Sequence, residues 1–377
     1  MRILSVATLV SPGGEYGGPT RVAVNQAREL RRLGHEVTLC AGTRGFDTLP
    51  EVLDGDTPVT LFPAHQTVPG TGFAGLTAPA LWAWLWRNIA GYDVCHIHLA
   101  RDLVTLPATA IARARKVPYV VQTHGMIDPT PRLLAAPLDA ALTRPALRSA
   151  RAVLHLTPVE RDGLIAVGGD SLRLVELPNG VPHAEPATPT GGREVLYLAR
   201  LASRKRPTSF VTTATRLAAE FPQVTFTLVG PDEGEGPAVA EAIAAAGEGA
   251  RLSWEGPLAP EKTMDRLRSS SVYVLPSVDE PYPMSVLEAM SAGLPVVITD
   301  TCGLAGIVRR ADAGIVVGPE QEALDAAVRR LLEDPAEAAA MGRRGREYVR
   351  EHLGMQAVAG RLLDLYGAGA SRAGAPS

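Results

Sequence analysis

Leu275 to Thr299 reads LPSVDEPYPMSVLEAMSAGLPVVIT, and its punctuation decides the fold class. An apolar run from Val272 to Leu275 ends at Pro276, a loop carries Asp279 and Glu280, and a helical pattern starts around Met284 to Ser285 and runs to Ala292. A second apolar run, Val296 to Ile298, follows. Short strands that read as continuous apolar runs and are joined by a helix imply a parallel sheet covered on both faces. The alternation extends toward the N-terminus through Val224 to Val229 and Val195 to Ala199. It is also present at the start of the chain: Ile3 to Val10, a helix from Thr20 to Leu33 stopped by Gly34, then Val37 to Cys40. Between these lie Asp93 to His98, a helix around Leu103 to Ala114, Tyr119 to Thr123, a proline-punctuated helical region to Ser149, and Val153 to Leu156.

PHAEPATPTGG, from Pro182 to Gly192, separates the two series and carries no periodicity, so it reads as a linker. The expected class is α/β, with two doubly wound Rossmann-like domains facing a central cleft at the C-terminal edges of their sheets, where such sheets bind ligands. The expected boundaries are 1–182, 183–354, and 355–377 for a C-terminal helix followed by a disordered tail, GAGASRAGAPS.

A length of 377 residues with 46% hydrophobic and 20% charged positions suits about two folded domains. Lys and Arg total 37 against 40 Asp and Glu, a net charge of −3 that gives no reason to expect a nucleic-acid partner. Cys40, Cys95 and Cys302 are too scattered for a disulfide framework or a metal site and read as buried thiols in a reducing compartment. LTAPALWAWLW, Leu76 to Trp86, is followed by Arg87 and falls short of the ~20 residues of a membrane span. MRILSVATLV reads as a buried strand rather than a signal peptide, so the expected location is cytoplasmic. Within the tryptophan-rich segment, Trp82, Leu85, Trp86 and Ile89 form the expected core stripe, with Trp84 pointing away from it.

Chemistry-bearing residues gather where strands end. GGEYGGPT, Gly13 to Thr20, lets Gly17 and Gly18 bring backbone amides toward an anion, although a Gly-rich turn would read the same way. Arg200 and Lys205 follow the strand Val195 to Ala199 and suit a diphosphate neutralised without a metal, or a solvated helix start. Glu280 sits in the loop and Glu288 on about the first turn of the helix. A carboxylate so placed can accept from a vicinal diol such as a ribose, while the helix N-terminus favours a phosphate. His96 and His98, two apart on a strand, share a face, yet no third metal ligand is suggested nearby. From Arg101 to Arg151 there are eight Lys or Arg and three Asp or Glu, an excess that suits either a solvated basic face or an anionic lipid surface or phosphorylated acceptor.

These stretches together resemble the group-4 family of retaining glycosyltransferases. The Glu–seven residues–Glu signature is Glu280 to Glu288 inside EPYPMSVLEAMSAGLPVV, and the Arg–four residues–Lys element is Arg200 to Lys205. The glycine loop, RRLGHEV, DVCHIH, QTHG and LPNGV fall in the family's order over nearly the whole chain. The resemblance implies a GT-B fold and transfer of a sugar from a nucleoside-diphosphate donor to a hydroxyl of a glycan, glycolipid or small-molecule acceptor. It implies no metal and no cofactor. It also implies that Glu280 and His124 of QTHG meet the donor sugar, Glu288 the ribose, and Arg200 and Lys205 the diphosphate. Pro281 and Pro283 stand where the family often has glycines; proline has no amide to donate, so Met284 and Ser285 become the expected backbone contacts. A nucleotide-sugar epimerase of related architecture and a non-catalytic sugar-nucleotide-binding protein are the competing readings, and peripheral membrane association is a further expectation.

Overall fold

The computed structural model describes residues 1–12, 17–53, 57–68, 70–130, 135–181, 193–259 and 262–367. The linker 182–192, the tail 368–377 and residues 13–16 of the glycine loop lie outside them. Two compact units are present, Met1–Gly180 together with Met355–Ser377, and Val181–Gly354.

In the first unit the sheet runs, in spatial order, Leu174–Glu176, Val153–His155, Tyr119–Gln122, Val94–His98, Arg2–Val10, Glu36–Thr43, Thr57–Pro63 and Val52–Leu53. All neighbours are parallel except the last pair. Strand order reverses between Arg2–Val10 and Val94–His98, which pair with Ser5 opposite His96. The helix Gly17–Arg32 crosses from the first strand to the second and stops at Gly34, whose φ of +87° is open to glycine at little cost. That stop explains RRLGHEV as a helix terminator: the Gly34 amide donates to Arg31 O and the His35 amide to Leu30 O.

The C-terminal helix Met355–Gly367 belongs to this first unit. Val358, Ala359, Leu362 and Tyr366 pack with Ile3, Val94, Val120 and Leu154 in one buried cluster. Gly180 of LPNGV permits that packing, since a Cβ there would stand 3.0 Å from Met355 and Val358 side-chain atoms.

The tryptophan stripe is phased differently from expectation. Leu81, Leu85 and Ile89 are fully buried, Trp84 packs against Phe62 at 5.9 Å between ring centroids, and Trp86 is 51% exposed beneath the Arg115 guanidinium. Leucine and isoleucine at i, i+4 and i+8 define the core face, and Trp86 lies just outside it.

In the second unit the order is Leu252–Trp254, Val224–Val229, Arg193–Leu198, Val272–Leu275, Val296–Thr299 and Gly314–Val317, with all pairs parallel. Val272–Leu275 and Val296–Thr299 are buried at every position, as their unbroken apolar sequences require. The reversal of order falls between Arg193–Leu198 and Val272–Leu275. Loops leaving the carboxyl ends of these two strands therefore border the crevice where open α/β sheets bind ligands.

Candidate functional site

In the second unit the two bordering loops carry the charged residues singled out in the sequence. The loop after Leu198 holds Arg200, Arg204 and Lys205, and the loop after Leu275 holds Asp279 and Glu280. A backbone bond from Val278 N to Arg204 O (2.9 Å) ties the loops together. Lys205 Nζ lies 2.6 Å from Glu280 Oε2, with Arg204 Nε 3.4 Å from the same oxygen. Lys205 and Glu280 are only 8% and 6% exposed. Burial lowers the Lys205 pKa, Glu280 opposes that shift, and the charges of Arg204 and Arg200 reinforce it. Arg200, half-exposed, pairs with Glu233 from the loop after Val224–Val229.

The helix Met284–Ala292 has the bounds its sequence implies. Its N-cap is Pro283, no side chain caps it, and the first-turn amides of Met284 and Ser285 have no carbonyl one turn earlier to bond. The Ser285 hydroxyl lies 2.7 Å from that of Tyr273, which also reaches Leu198 O at 3.0 Å. Glycine at 303 is needed here, because a Cβ would come within 1.8 Å of Pro281 O; the Gly303 amide bonds Glu280 O at 2.8 Å. Glu288 departs from expectation. It is the fifth of nine helical residues, 3% exposed, and shares the helix with buried Val286, Leu287, Ala289 and Met290. The helix is buried from Val286 to Ala292 and partly exposed only at Met284 and Ser285, so its acid is enclosed in the second turn rather than placed at the dipole end.

In the first unit the strand end Val94–His98 lies at the reversal of strand order. Residues two apart share a face of a strand, and His96 and His98 stack at 4.6 Å. His124, from QTHG, stacks on His98 at 5.2 Å, with His98 Nδ1 2.9 Å from His124 Nε2. A third imidazole is thus present, contrary to expectation. The facing nitrogens of His98 and His124 are taken up by each other and His96 Nδ1 by the Tyr366 hydroxyl, instead of converging on one point ~2.1 Å away, as a metal requires. Among the described residues no group of His, Cys, Asp and Glu has a metal-holding arrangement.

His96 Nδ1 meets the Tyr366 hydroxyl at 2.6 Å, and Gln122 of QTHG bonds both Gln26 and Asn179 of LPNGV. Burial brings the His96 and His124 pKa values down to about 3, and pushes that of His98 well below the ordinary range, with neighbouring imidazoles adding to the effect on His98 and His124. All three are neutral at physiological pH. His124 itself adopts φ +51°, the left-handed region. Gly17 opens the helix Gly17–Arg32, and a side chain at Gly18 would meet nothing within 4 Å, so neither steric crowding nor backbone conformation demands glycine at 18.

The basic excess of residues 101–151 is partly consumed inside the fold. Arg101 forms a bidentate pair with Asp139, and Arg144 and Arg148 donate to the carbonyls of Val167 and Gly168. Arg113, Lys116, Arg151 and Arg173 line a hollow of about 300 Å³ at the opening ends of the strands Tyr119–Gln122 and Leu174–Glu176. Among the described residues no helix is long and apolar enough to cross a membrane.

Sequence reasoning missed Arg204, Glu233 and Tyr273 in the second unit and Asn179, Tyr366 and Glu160 in the first. Glu160 had a readable signal in the T-x-x-E start of its helix, Asn179 lies inside LPNGV, and Arg204 stands next to Lys205; Glu233, Tyr273 and Tyr366 join these sites through tertiary packing.

Two family models match the chain: Glycosyl transferase 4-like domain over residues 17–180 and Glycosyl transferases group 1 over residues 182–348. Among curated proteins, a 2-deoxystreptamine glucosyltransferase of Streptomyces kanamyceticus is 29% identical, covering 91% of this chain and 97% of its own. A phosphatidyl-myo-inositol mannosyltransferase of Mycolicibacterium smegmatis is 27% identical over 84% and 82%. Among solved structures, sucrose-phosphate synthase from Thermosynechococcus elongatus superposes with a TM-score of 0.76 at 20% identity, covering 99% of this chain and all of its own. HepE of Anabaena in complex with UDP gives 0.75 at 19% over 98% and 100%. The fold is that of the GT-B glycosyltransferases.

Proposed function

The chain belongs to the group-1 glycosyltransferases, and from that premise we propose that it transfers a sugar from a nucleoside-diphosphate donor to an acceptor hydroxyl, with retention at the anomeric carbon and without a metal ion. The observation that carries this reading is the pairing of Lys205 and Arg204 with Glu280 where the second sheet reverses its strand order, beside a helix whose first amides are uncapped.

In this reading the diphosphate lies against Arg200, Lys205 and the amides of Met284 and Ser285. The fixed cations and the helix dipole stabilise the negative charge that grows as the sugar–phosphate bond breaks. The acceptor oxygen bonds to the anomeric carbon as the diphosphate departs, and the acceptor proton leaves with the diphosphate. Glu288 accepts from the ribose hydroxyls, and Glu280 and His124 act on the donor sugar. A neutral imidazole suits His124 for hydrogen bonding to sugar hydroxyls better than for charge neutralisation. The glycine loop at Gly17 and Gly18 contributes helix-terminal amides.

The UDP bound in HepE supports a nucleoside-diphosphate donor. Relatives named for 2-deoxystreptamine and phosphatidyl-myo-inositol support an acceptor carrying a hydroxylated ring. The cationic hollow of Arg113, Lys116, Arg151 and Arg173 is the feature that would meet an anionic lipid surface, the basis for peripheral membrane contact and a location at the inner face of the membrane.

The test is a panel of nucleoside-diphosphate sugars offered with and without cyclitol, glycan and glycolipid acceptors. Free nucleotide released only in the presence of acceptor is the expected result. A product isomeric with the donor would point to epimerisation, and tight nucleotide binding with no turnover would point to a binding protein.

A further inference from the structure

We propose that Glu160 is a positioning residue for the transfer step, holding His124 in its working orientation through the backbone on either side of it. The inference rests on the role given to His124 above. His124 has φ +51°, a conformation that costs a residue with a Cβ roughly 1–2 kcal/mol and persists only when its surroundings over-determine it. The residues before and after it are tied to one atom: Glu160 Oε1 accepts from Thr123 Oγ1 at 2.6 Å and from the Gly125 amide at 2.6 Å. The other oxygen, Oε2, accepts from the Leu156 amide at 2.7 Å, just past the neighbouring strand Val153–His155. The loop is thereby clamped to the adjacent strand.

Glu160 is the third residue of the helix Pro158–Gly168, whose N-cap Thr157 accepts from the Glu160 amide at 3.2 Å. Threonine at the N-cap and glutamate three residues later is the sequence of a capping box, in which the carboxylate ordinarily reaches back to the N-cap amide. Here the carboxylate is diverted to Leu156 and to the QTHG loop. A carboxylate 8% exposed is costly to bury, and three short donors offset that cost only while the loop keeps this shape. Helix capping alone would not direct two of the three bonds to the neighbours of His124.

The experiment is a double-mutant cycle with Glu160→Gln and His124→Ala, read by single-turnover rate and by affinity for a nucleoside diphosphate, alongside hydrogen exchange of the Gly125 amide. Glu160→Gln should slow single turnover about tenfold or more, leave nucleotide affinity within twofold, and add less than twofold in the His124→Ala background. Equal slowing in both backgrounds, or a wild-type rate in the single variant, overturns the proposal. If His124→Ala alone reacts at the wild-type rate, the role of His124 falls. The clamp itself is then decided by exchange: faster Gly125 exchange in Glu160→Gln supports it, and unchanged exchange overturns it. Should Glu160→Gln not fold, Thr123→Val, which removes one of the three bonds, replaces it in the same cycle with the same outcomes.

Discussion

The two sheets reverse their strand order in the same way but dress the resulting crevices oppositely. The first collects three neutral imidazoles bound to one another and to amide and hydroxyl groups; the second collects cations held against carboxylates. Formal charge would suit the proposed neutralisation of a diphosphate in the second crevice, and uncharged donors and acceptors the proposed recognition of sugar hydroxyls in the first. The difference also separates what each region contributes to stability. A Lys–Glu pair under 10% exposed is costly to break from one side, whereas neutral histidines become costly only when the pH falls.

The largest effect is expected at the charged crevice. Lys205→Ala should lower kcat about 10²- to 10³-fold, the size typical of removing one group that stabilises transition-state charge. Because it also strands Glu280, a thermal melt should accompany the kinetics. Lys205→Arg, which retains the pair's charge, should melt near the wild type. A Lys205→Ala enzyme of normal stability and normal kcat would break the comparison at its charged end.

The imidazole crevice gives the next effect. Folded pKa values near 3 for His96 and His124, against an unfolded value near 6.5, mean that the unfolded chain binds more protons between those limits. Stability contributed by these residues is therefore complete above pH 6.5 and declines as pH falls toward 3, by up to about 1.4 kcal/mol per pH unit for each imidazole. Asp102, buried and raised to about 6, acts in the opposite sense between about pH 4 and 6, one carboxyl against three imidazoles. Urea midpoints should fall from pH 7 to pH 5, and less steeply in His96→Gln. A flat profile would show that the imidazoles protonate freely in the folded state.

The smallest effect expected is none. Turnover in excess EDTA should equal turnover in magnesium if, as proposed, Arg200 and Lys205 serve the diphosphate. Activity lost on chelation and restored by magnesium or manganese would remove the metal-free account.

The charged crevice was the more legible of the two. Its charged residues sit in two short stretches just past strands, Arg200 to Lys205 and Asp279 to Glu280, and the buried strands on either side of Met284–Ala292 announce themselves as unbroken apolar runs. Glu288 stands further into that helix than the first turn expected of it, because the helix starts at Met284 and the acid is its fifth residue, set among buried Val286, Leu287, Ala289 and Met290. Edge strands such as Leu252–Trp254 and Gly314–Val317 escaped notice because they are three or four residues long and only partly buried where described. The imidazole crevice was legible only in its motifs. His124 could be picked out from QTHG, but Tyr366 stands 270 residues from His96 in sequence, and no local pattern reports such a contact.

The most direct test of the account is calorimetric titration of UDP, and of other nucleoside diphosphates if UDP does not bind, into wild type, Glu288→Ala and His124→Ala. The account predicts that Glu288→Ala binds at least about tenfold more weakly, reflecting charge-assisted bonds worth roughly 1.5–3 kcal/mol, while His124→Ala binds as the wild type does. Unchanged affinity in a folded Glu288→Ala, or an equal loss in both variants, would contradict the division of nucleoside and sugar chemistry between these residues.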